Sequence, residues 1–340
     1  MMASRIAGLG AYVPPRIMTN EDLARMMDTS DEWIQQRTGI KQRHWVEGKT
    51  TTSDLALEAS RQALQEAGIE AKDLDMIIVA TLSPDHQFPG TACFLQSKLG
   101  APGIAALDIR QQCTGFIYGM SIADQFIRTG MYKKILLVGA EVHSKGLDKS
   151  TRGRDVSVLF GDGAGAIVMT PADVGAGSAE TGKGARIFST HLHADGDYAK
   201  DLWVDLPTMA DSTDYVTHAM IDEGRHWTQM KGKNVFIHAS KRMPEVIQEC
   251  LAANHVSIGS VDLFVLHQAN LRIVEMATKQ LEIPAGKVFN TIDRFGITTA
   301  ATIPLGLAEA RKAGVLKPGM LVCSAAFGSG FTWASALYRW

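Results

Sequence analysis

The same succession of a helix, a short turn and a buried strand occurs twice in this chain. In the first half, a helical pattern over Leu55–Ala67 leads to the strand segment DLDMIIVA, which begins at Asp73. In the second half, a helical pattern over Val246–Ala253 leads to VDLFVLHQ, which begins at Val261. Two copies of one α/β unit would pack around a pseudo-twofold axis, so that equivalent loops meet and build one site.

The spacing between the two copies is nearly constant. Asp75 and Asp262 occupy equivalent positions 187 residues apart, and the later strands that begin at Lys134 and Gly319 are 185 residues apart. Each half also ends with a glycine-rich turn and an apolar strand, in GDGAGAIVM and GSGFTWASAL. The alternative to duplication is chance similarity, because all α/β units share such patterns.

Short apolar runs alternate with helical patterns along the chain. Ile77–Ala80 and Ile135–Val138 are predicted to be buried strands, and Thr91–Leu99 and Gly115–Arg128 are predicted to be helices. Strands that alternate with helices are typical of parallel sheets with crossover helices. The sequence therefore predicts an α/β layer fold.

Composition excludes several classes of protein. The chain has 340 residues, 46% of them apolar, and a net charge of −2, without the basic field of nucleic-acid-binding proteins. No apolar run reaches the roughly 18 residues of a membrane span, and the N-terminus does not resemble a secretory leader. The cysteines are scattered, which favours a reduced cytoplasmic location over a disulfide scaffold. They are Cys93, Cys113, Cys250 and Cys323.

Cys113 is the strongest candidate nucleophile. It follows the short strand pattern Leu107–Ile109 and a polar turn, at the point where the next helix is expected to begin. The positive end of the helix dipole favours a thiolate there, and a thiolate attacks thioesters readily. The alternative is a buried cysteine that packs as a small apolar residue.

His267 is the candidate partner because it ends the strand VDLFVLH, where α/β folds place their chemistry. His191 and His193 form a pair on one strand face, but no third metal ligand lies near them in the sequence. We therefore expect no metal site.

Several segments, in order, resemble β-ketoacyl-acyl-carrier-protein synthase III, a condensing enzyme of the thiolase-like superfamily. They are TNEDLARMMDTSDEWIQQRTGI, FPGTACFLQSKLGA, CTGFIYGM, LFGDGAGA, HLHADG, VLHQANLRI and AAFGSGFTWASALYRW. The resemblance implies a five-layered αβαβα fold with two similar halves, residues 1–175 and residues 176–340, and a homodimer. It implies no cofactor, with acyl-CoA and acyl carrier protein as the partners.

The resemblance also implies the reaction. Cys113 corresponds to the nucleophile that accepts an acyl group from coenzyme A, and His267 to the active-site histidine. The loop with Gly328 and Gly330 corresponds to the glycine-rich loop whose N–H groups, with that of Cys113, form an oxyanion hole. Claisen condensation with malonyl-carrier protein would follow, in fatty-acid or related polyketide-type biosynthesis.

Binding roles follow from the same resemblance. Trp33, Arg37 and Arg154 correspond to residues that hold the adenine and phosphate end of coenzyme A. Arg272 corresponds to a basic residue used in docking the acidic carrier protein. Phe88 corresponds to a residue that reaches toward the acyl pocket of the partner subunit.

Ile297 is the main departure from the family pattern, which has an asparagine donor at this position. An oxyanion-hole donor stabilises a transition state by about 2.7–4 kcal/mol. Its loss should therefore slow decarboxylation of the malonyl group more than acylation of Cys113. Thr298, Thr299, Asn290 or a water would have to replace the donor. Otherwise the chain would be a non-decarboxylating acyltransferase, a form that traps the acyl-enzyme, or a degenerate partner subunit; thioester hydrolysis is a further alternative.

The segment between His193 and Val235 is about ten residues longer than the resemblance leads us to expect. It contains the aromatic residues Trp203, Tyr215 and Trp227. We expect it either to reshape the acyl pocket, and so change the preferred acyl chain, or to form a surface loop.

Overall fold

The computed structural model describes residues 2–172, 179, 184–210 and 212–340. Its strands are β1 (Ala3–Tyr12), β2 (Ile17–Thr19), β3 (Gln42–His44), β4 (Met76–Ala80), β5 (Ala105–Ile109), β6 (Ile135–Glu141), β7 (Gly163–Ala172), β8 (Arg186–Ala194), β9 (Leu202–Trp203), β10 (Gln229–Met230), β11 (Leu263–Leu266), β12 (Leu321–Gly328) and β13 (Thr332–Arg339). Its helices are α1 (Asn20–Ala24), α2 (Asp31–Thr38), α3 (Thr52–Ala67), α4 (Thr91–Leu99), α5 (Gly115–Arg128), α6 (Arg154–Ser157), α7 (His218–Asp222), α8 (Gly232–Ala253), α9 (Leu271–Gln280), α10 (Ile292–Phe295) and α11 (Thr302–Lys312).

Two mixed sheets share one strand order. The first runs β1-β7-β6-β4-β5, and the second runs β8-β13-β12-β11. In each sheet the first two pairings are antiparallel and the third, β6 with β4 or β12 with β11, is parallel. The repeat expected from the sequence offsets is therefore present in the topology.

Asp75 and Asp262 play equivalent parts in the two sheets. The Asp75 carboxylate accepts a hydrogen bond from the backbone N–H of Lys134 at 2.9 Å, just before β6. The Asp262 carboxylate accepts one from the backbone N–H of Leu321 at 2.7 Å, at the start of β12. Each aspartate thus fixes the register of the parallel strand pair in its own half.

Helices cover both faces of both sheets. The apolar sides of α5 and α11 pack into one core with strands of both sheets. Helices α3 and α4 cover the other face of the first sheet, and α8 and α9 cover the other face of the second. Five layers, αβαβα, result, as predicted.

Local sequence signals set several boundaries. Helix α3 begins with a capping box, in which Thr51 and Asp54 satisfy each other's backbone N–H groups, and ends at Gly68 in the left-handed conformation. The predicted bounds of α4 and α5 are those observed. Helix α8 begins at Gly232, well before the predicted Val246, because its first turns are too exposed to show an apolar periodicity.

The predicted boundary between the halves, at residues 175 and 176, lies outside the described residues. Among the residues that the structure does describe, no helix has the length and apolar character needed to cross a membrane.

Candidate active site

The strand–turn–helix segment around Cys113 has the form that the sequence predicts. Strand β5 ends at Ile109, a 3-10 turn covers Gln112–Thr114, and α5 begins at Gly115. Gln112 adopts a positive φ of 44°, which turns the chain sharply just before the cysteine. The Cys113 side chain is buried at the start of the central helix layer.

The expectation of a thiolate at Cys113 is wrong for the free protein. Burial, with a smaller contribution from the buried Glu141 carboxylate, raises the pKa of the Cys113 thiol from its ordinary 9.0 to about 12. That rise corresponds to roughly 4 kcal/mol, more than the ~2 kcal/mol that a helix terminus supplies at best. Cys113 therefore rests as a thiol.

Three nearby donor groups favour the anion when the proton leaves. The backbone N–H groups of Ser329 and of Cys113 itself, together with the Thr299 hydroxyl, lower the pKa of the thiol against the effect of burial. Two of these donors are backbone groups of the turn and of the glycine-rich loop, held by the fold before any ligand arrives.

Gly328 ends β12 directly against Cys113. A Cβ at this position would lie 2.5 Å from the Cys113 Cβ and 2.9 Å from its sulfur. Only glycine therefore fits here. Gly330 has a φ of 138°, a conformation that other residues rarely adopt, and with Ser329 it forms the turn between β12 and β13.

His267 follows β11, and its backbone N–H donates to Ala325 of the adjacent strand at 2.8 Å. The imidazole is buried, and neither ring nitrogen has a hydrogen-bond partner in the described part of the chain. Burial lowers the pKa of His267 to about 3, so the ring is neutral at pH 7. A neutral, unpartnered imidazole is available to donate to or accept from a ligand.

One cavity of about 340 Å³ brings the predicted catalytic positions together. Cys113, His267 and Ile297 all contribute to its wall, as do Phe327 and Gly328 of the loop. The two halves thus build one site, as the duplication predicts.

Ile297 is buried and fixed by its backbone. Its N–H donates to Leu159 at 2.9 Å, and its carbonyl accepts from Gly161 at 3.0 Å. The side chain packs in an apolar cluster with Trp45 and Phe160. Its hydrocarbon offers no hydrogen bond to a ligand in the cavity.

The residues expected to replace the missing donor have other partners. The Thr298 hydroxyl lies 3.2 Å from that of Thr302, and the amide oxygen of Asn290 accepts from Gln268 at 3.3 Å. The Thr299 hydroxyl lies 2.7 Å from Nε2 of His143. Thr299 also lines a second cavity that Cys113 borders.

Two guanidinium groups lie over the ring of Trp33. The Arg37 guanidinium lies 4.5 Å from the centre of its ring, and that of Arg154 lies 4.9 Å from it. Trp33 and Arg37 line the same cavity as Cys113, at its solvent-exposed part. This arrangement presents an aromatic face and two positive charges to an anionic, ring-containing ligand.

Arg272 and Phe88 lie on the surface. Arg272 is exposed in the first turn of α9, near Asn270 of the cavity wall, and its guanidinium lies 5.4 Å from the Phe236 ring. Phe88 precedes α4 and is 86% exposed. An aromatic side chain this exposed is unusual on a protein surface.

A second cavity, of about 270 Å³, adjoins Cys113 from another direction. Its wall includes Thr299, His143 and Arg110, and also Trp203 and Val204 of the long segment. That segment therefore lines a cavity beside Cys113 rather than forming only a surface loop. Sequence reasoning missed His143, although its place just after β6, at the carboxyl end of a parallel strand, was an available signal.

His191 and His193 both face the Glu249 carboxylate, at 3.4 Å and 2.6 Å. Within the described ranges, no three His, Cys, Asp or Glu side chains are grouped as metal ligands.

Two segments of the chain match models of one enzyme family. Residues 107–196 match 3-oxoacyl-[acyl-carrier-protein] synthase III, and residues 251–340 match the C-terminal domain of the same enzyme.

Individual relatives span almost the whole chain. The chain is 44% identical over 337 residues to the β-ketoacyl-[acyl-carrier-protein] synthase III of Xanthomonas euvesicatoria, covering 99% of this chain and 98% of that one. It is 43% identical over 339 residues to that of Caldanaerobacter subterraneus, covering 100% and 98%. The crystal structure of the Aquifex aeolicus synthase superposes with a TM-score of 0.87 at 39% identity, covering 99% and 100%.

Proposed function

The chain belongs to the 3-oxoacyl-[acyl-carrier-protein] synthase III family of acyl-transferring condensing enzymes, and we propose that it condenses an acyl group from coenzyme A with malonyl-carrier protein through Cys113. The observation that carries the proposal is one cavity that joins Cys113 and His267 to the stacked Trp33 and Arg37. Acyl-CoA enters as a substrate, and the side chains of the site perform the chemistry.

Acylation of Cys113 is the first step. The thiol loses its proton as its sulfur attacks the thioester carbonyl, and the coenzyme A thiol leaves. The backbone N–H groups of Cys113 and Ser329 lie beside the sulfur, where they stabilise developing negative charge. Burial keeps water away from the resulting thioester.

Decarboxylation of the malonyl unit is the second step. The enolate oxygen that forms needs hydrogen-bond donors, and neutral His267 supplies one N–H from the cavity wall. Ile297 supplies none, so His267 is the one side-chain donor that this proposal assigns to the step. The resulting carbon nucleophile attacks the Cys113 thioester and releases the 3-oxoacyl product.

Coenzyme A binds at the exposed part of the cavity in this proposal. Its adenine stacks near Trp33, and its phosphates pair with Arg37 and Arg154, whose guanidinium groups flank that ring. The pantetheine arm then extends inward to Cys113 along the shared cavity wall.

The carrier protein docks beside Arg272, which is exposed on α9 next to the cavity wall. Charge reversal in Arg272→Glu should raise KM for malonyl-carrier protein about tenfold and leave acylation by acyl-CoA unchanged. Steady-state kinetics with each substrate varied in turn checks this. An unchanged KM for the carrier protein would remove Arg272 from the docking surface.

A homodimer is proposed because Phe88 is 86% exposed in the single chain. In the dimer, Phe88 contributes to the acyl pocket of the partner subunit. Analytical ultracentrifugation should show a dimer for the wild type and a weakened dimer for Phe88→Ser, whereas a monomeric wild type would contradict the proposal. We also propose a cytoplasmic location, where the four free cysteines stay reduced.

The test of the function uses a series of acyl-CoAs of increasing chain length. Intact-mass measurement should show a gain equal to the acyl group, absent in Cys113→Ala, and malonyl-carrier protein should then release carbon dioxide and a 3-oxoacyl product. Acylation without carbon dioxide would identify the chain as a non-decarboxylating acyltransferase. Coenzyme A binding without any adduct would identify a non-enzymatic partner subunit.

A further inference from the structure

A buried polar contact reaches Cys113 from the side of the second cavity. Nε2 of His143 lies 2.7 Å from the Thr299 hydroxyl oxygen, although the two residues are 156 positions apart. The 3-10 turn that carries Thr299 contacts the turn that carries Cys113, and the Thr299 hydroxyl lowers the pKa of the Cys113 thiol against the effect of burial. All three side chains line the same cavity.

The fold holds the two partner side chains rigidly. His143 is buried, with its ring centre 4.6 Å from that of Phe160. Thr299 is buried and has a positive φ of 47°, which is strained for a β-branched residue. Such strain persists only where the surrounding structure imposes it, and it is found most often at functional sites.

The direction of the hydrogen bonds follows from the number of hydrogens. A threonine hydroxyl carries one hydrogen, which points either to His143 or to the sulfur. Burial lowers the pKa of His143 to about 3, so its ring is neutral and carries one N–H. When that hydrogen is on Nε2, the imidazole donates to Thr299, and the hydroxyl hydrogen is left to point at Cys113.

We propose that His143 is a positioning residue for the nucleophile: its N–H orients the Thr299 hydroxyl, which then donates to the Cys113 sulfur as the thiol becomes an anion. No covalent bond changes in this chain of hydrogen bonds. The inference deepens the proposed function and rests on it, because it assigns the surroundings of the same nucleophile in the second cavity.

Three further titratable groups lie near the sulfur or line the cavities beside it. The Glu141 carboxylate, two residues before His143 at the end of β6, opposes the anion. Arg110 lines the second cavity, and neutral His267 lines the first. All three remain in place when His143 is substituted, so a difference between variants reports on the His143–Thr299 contact.

The test is the rate of Cys113 alkylation by iodoacetamide as a function of pH, which needs no acyl donor. His143→Phe keeps a ring against Phe160 but removes the N–H. Without the hydrogen bond, the pH at which the Cys113 thiol is half ionised should rise by about one unit. The alkylation rate of His143→Phe at pH 8 should therefore be about tenfold below that of the wild type. His143→Gln, which restores an N–H donor, should recover most of the rate.

Thr299 variants complete the test. Thr299→Val should alkylate as slowly as His143→Phe, and Thr299→Ser should alkylate at the wild-type rate. The double variant, which combines His143→Phe with Thr299→Val, should alkylate no more slowly than Thr299→Val alone. Thr298→Val, which removes a buried hydroxyl paired with Thr302, is the matched control and should leave the profile unchanged. His143→Leu replaces His143→Phe should the latter not fold.

An unchanged profile in His143→Phe, or equal losses in His143→Phe and His143→Gln, would overturn the inference. Additive losses in the double variant would do so too. Each of these results is distinguishable from a failure of the proposed function, which would appear as missing acylation in a wild type that still alkylates normally.

Discussion

Replacing Ile297 with asparagine adds a side-chain donor to the cavity wall opposite the nucleophile and His267. The backbone of residue 297 is held at both its N–H, by Leu159 at 2.9 Å, and its carbonyl, by Gly161 at 3.0 Å. The new side chain therefore starts from the same position as the old one. Its amide enters the cavity that Cys113 and His267 share.

Two magnitudes describe the expected result. A second donor to the enolate oxygen is worth about 2.7–4 kcal/mol, so decarboxylation of malonyl-carrier protein should accelerate by about 10²–10³. The loss of a buried apolar side chain from the cluster around Trp45 and Phe160 should lower the free energy of unfolding by about 2–4 kcal/mol. Acylation by acyl-CoA, which does not use this donor, should change little.

Carbon dioxide release from malonyl-carrier protein, measured on acylated protein, is the assay. Ile297→Leu is the control, because it keeps the apolar wall and adds no donor. A folded Ile297→Asn protein that acylates normally but releases carbon dioxide no faster than the wild type would refute the reasoning. It would mean that another group already supplies the second hydrogen bond.

Three further predictions concern binding, packing and pH. Trp33→Ala should raise KM for acyl-CoA about tenfold with little change in kcat, because the ring flanked by two guanidinium groups is lost; a reduced kcat at unchanged KM would contradict this. Gly328→Ala places a Cβ 2.5 Å from the Cys113 Cβ, so it should lower the free energy of unfolding by about 1–3 kcal/mol and slow acylation; wild-type behaviour in both would refute the close approach. Buried His143 and His267 have pKa values lowered to about 3, while unfolded histidine protonates near 6.5, so stability is lost as pH falls from 6.5 toward 3. Burial raises the pKa of Glu141 to about 7, so its contribution to stability increases as pH falls through that value. This contribution is the same in the wild type and in His143→Phe. His143→Phe should therefore lose about 1.4 kcal/mol less per pH unit than the wild type in urea unfolding, and parallel curves would contradict the burial of a neutral imidazole.

The sequence predicts the elements of this fold well because their signals are local. Helices α4 and α5 have the predicted bounds, since glycines and apolar periodicity mark them. The equivalence of Asp75 and Asp262 follows from one repeated pattern, and both carboxylates bind the start of a neighbouring strand.

The electrostatics of the site could not be predicted in the same way. The thiolate expected at Cys113 came from a local feature, the helix terminus, whereas its burial is a tertiary property, in which Gly328 of the other half approaches the side chain closely. His143 and Thr299 meet only in the folded chain, across 156 residues. Desolvation and long-range contacts are tertiary properties, and no local pattern encodes them.

The attachment point of the acyl group is the most direct measurement of the central claim. Protein treated with acyl-CoA and digested with trypsin should carry the acyl mass on peptide 111–128, with fragment ions that place it on Cys113. Modification of a peptide that contains Cys93, Cys250 or Cys323, with peptide 111–128 unmodified, would contradict the account.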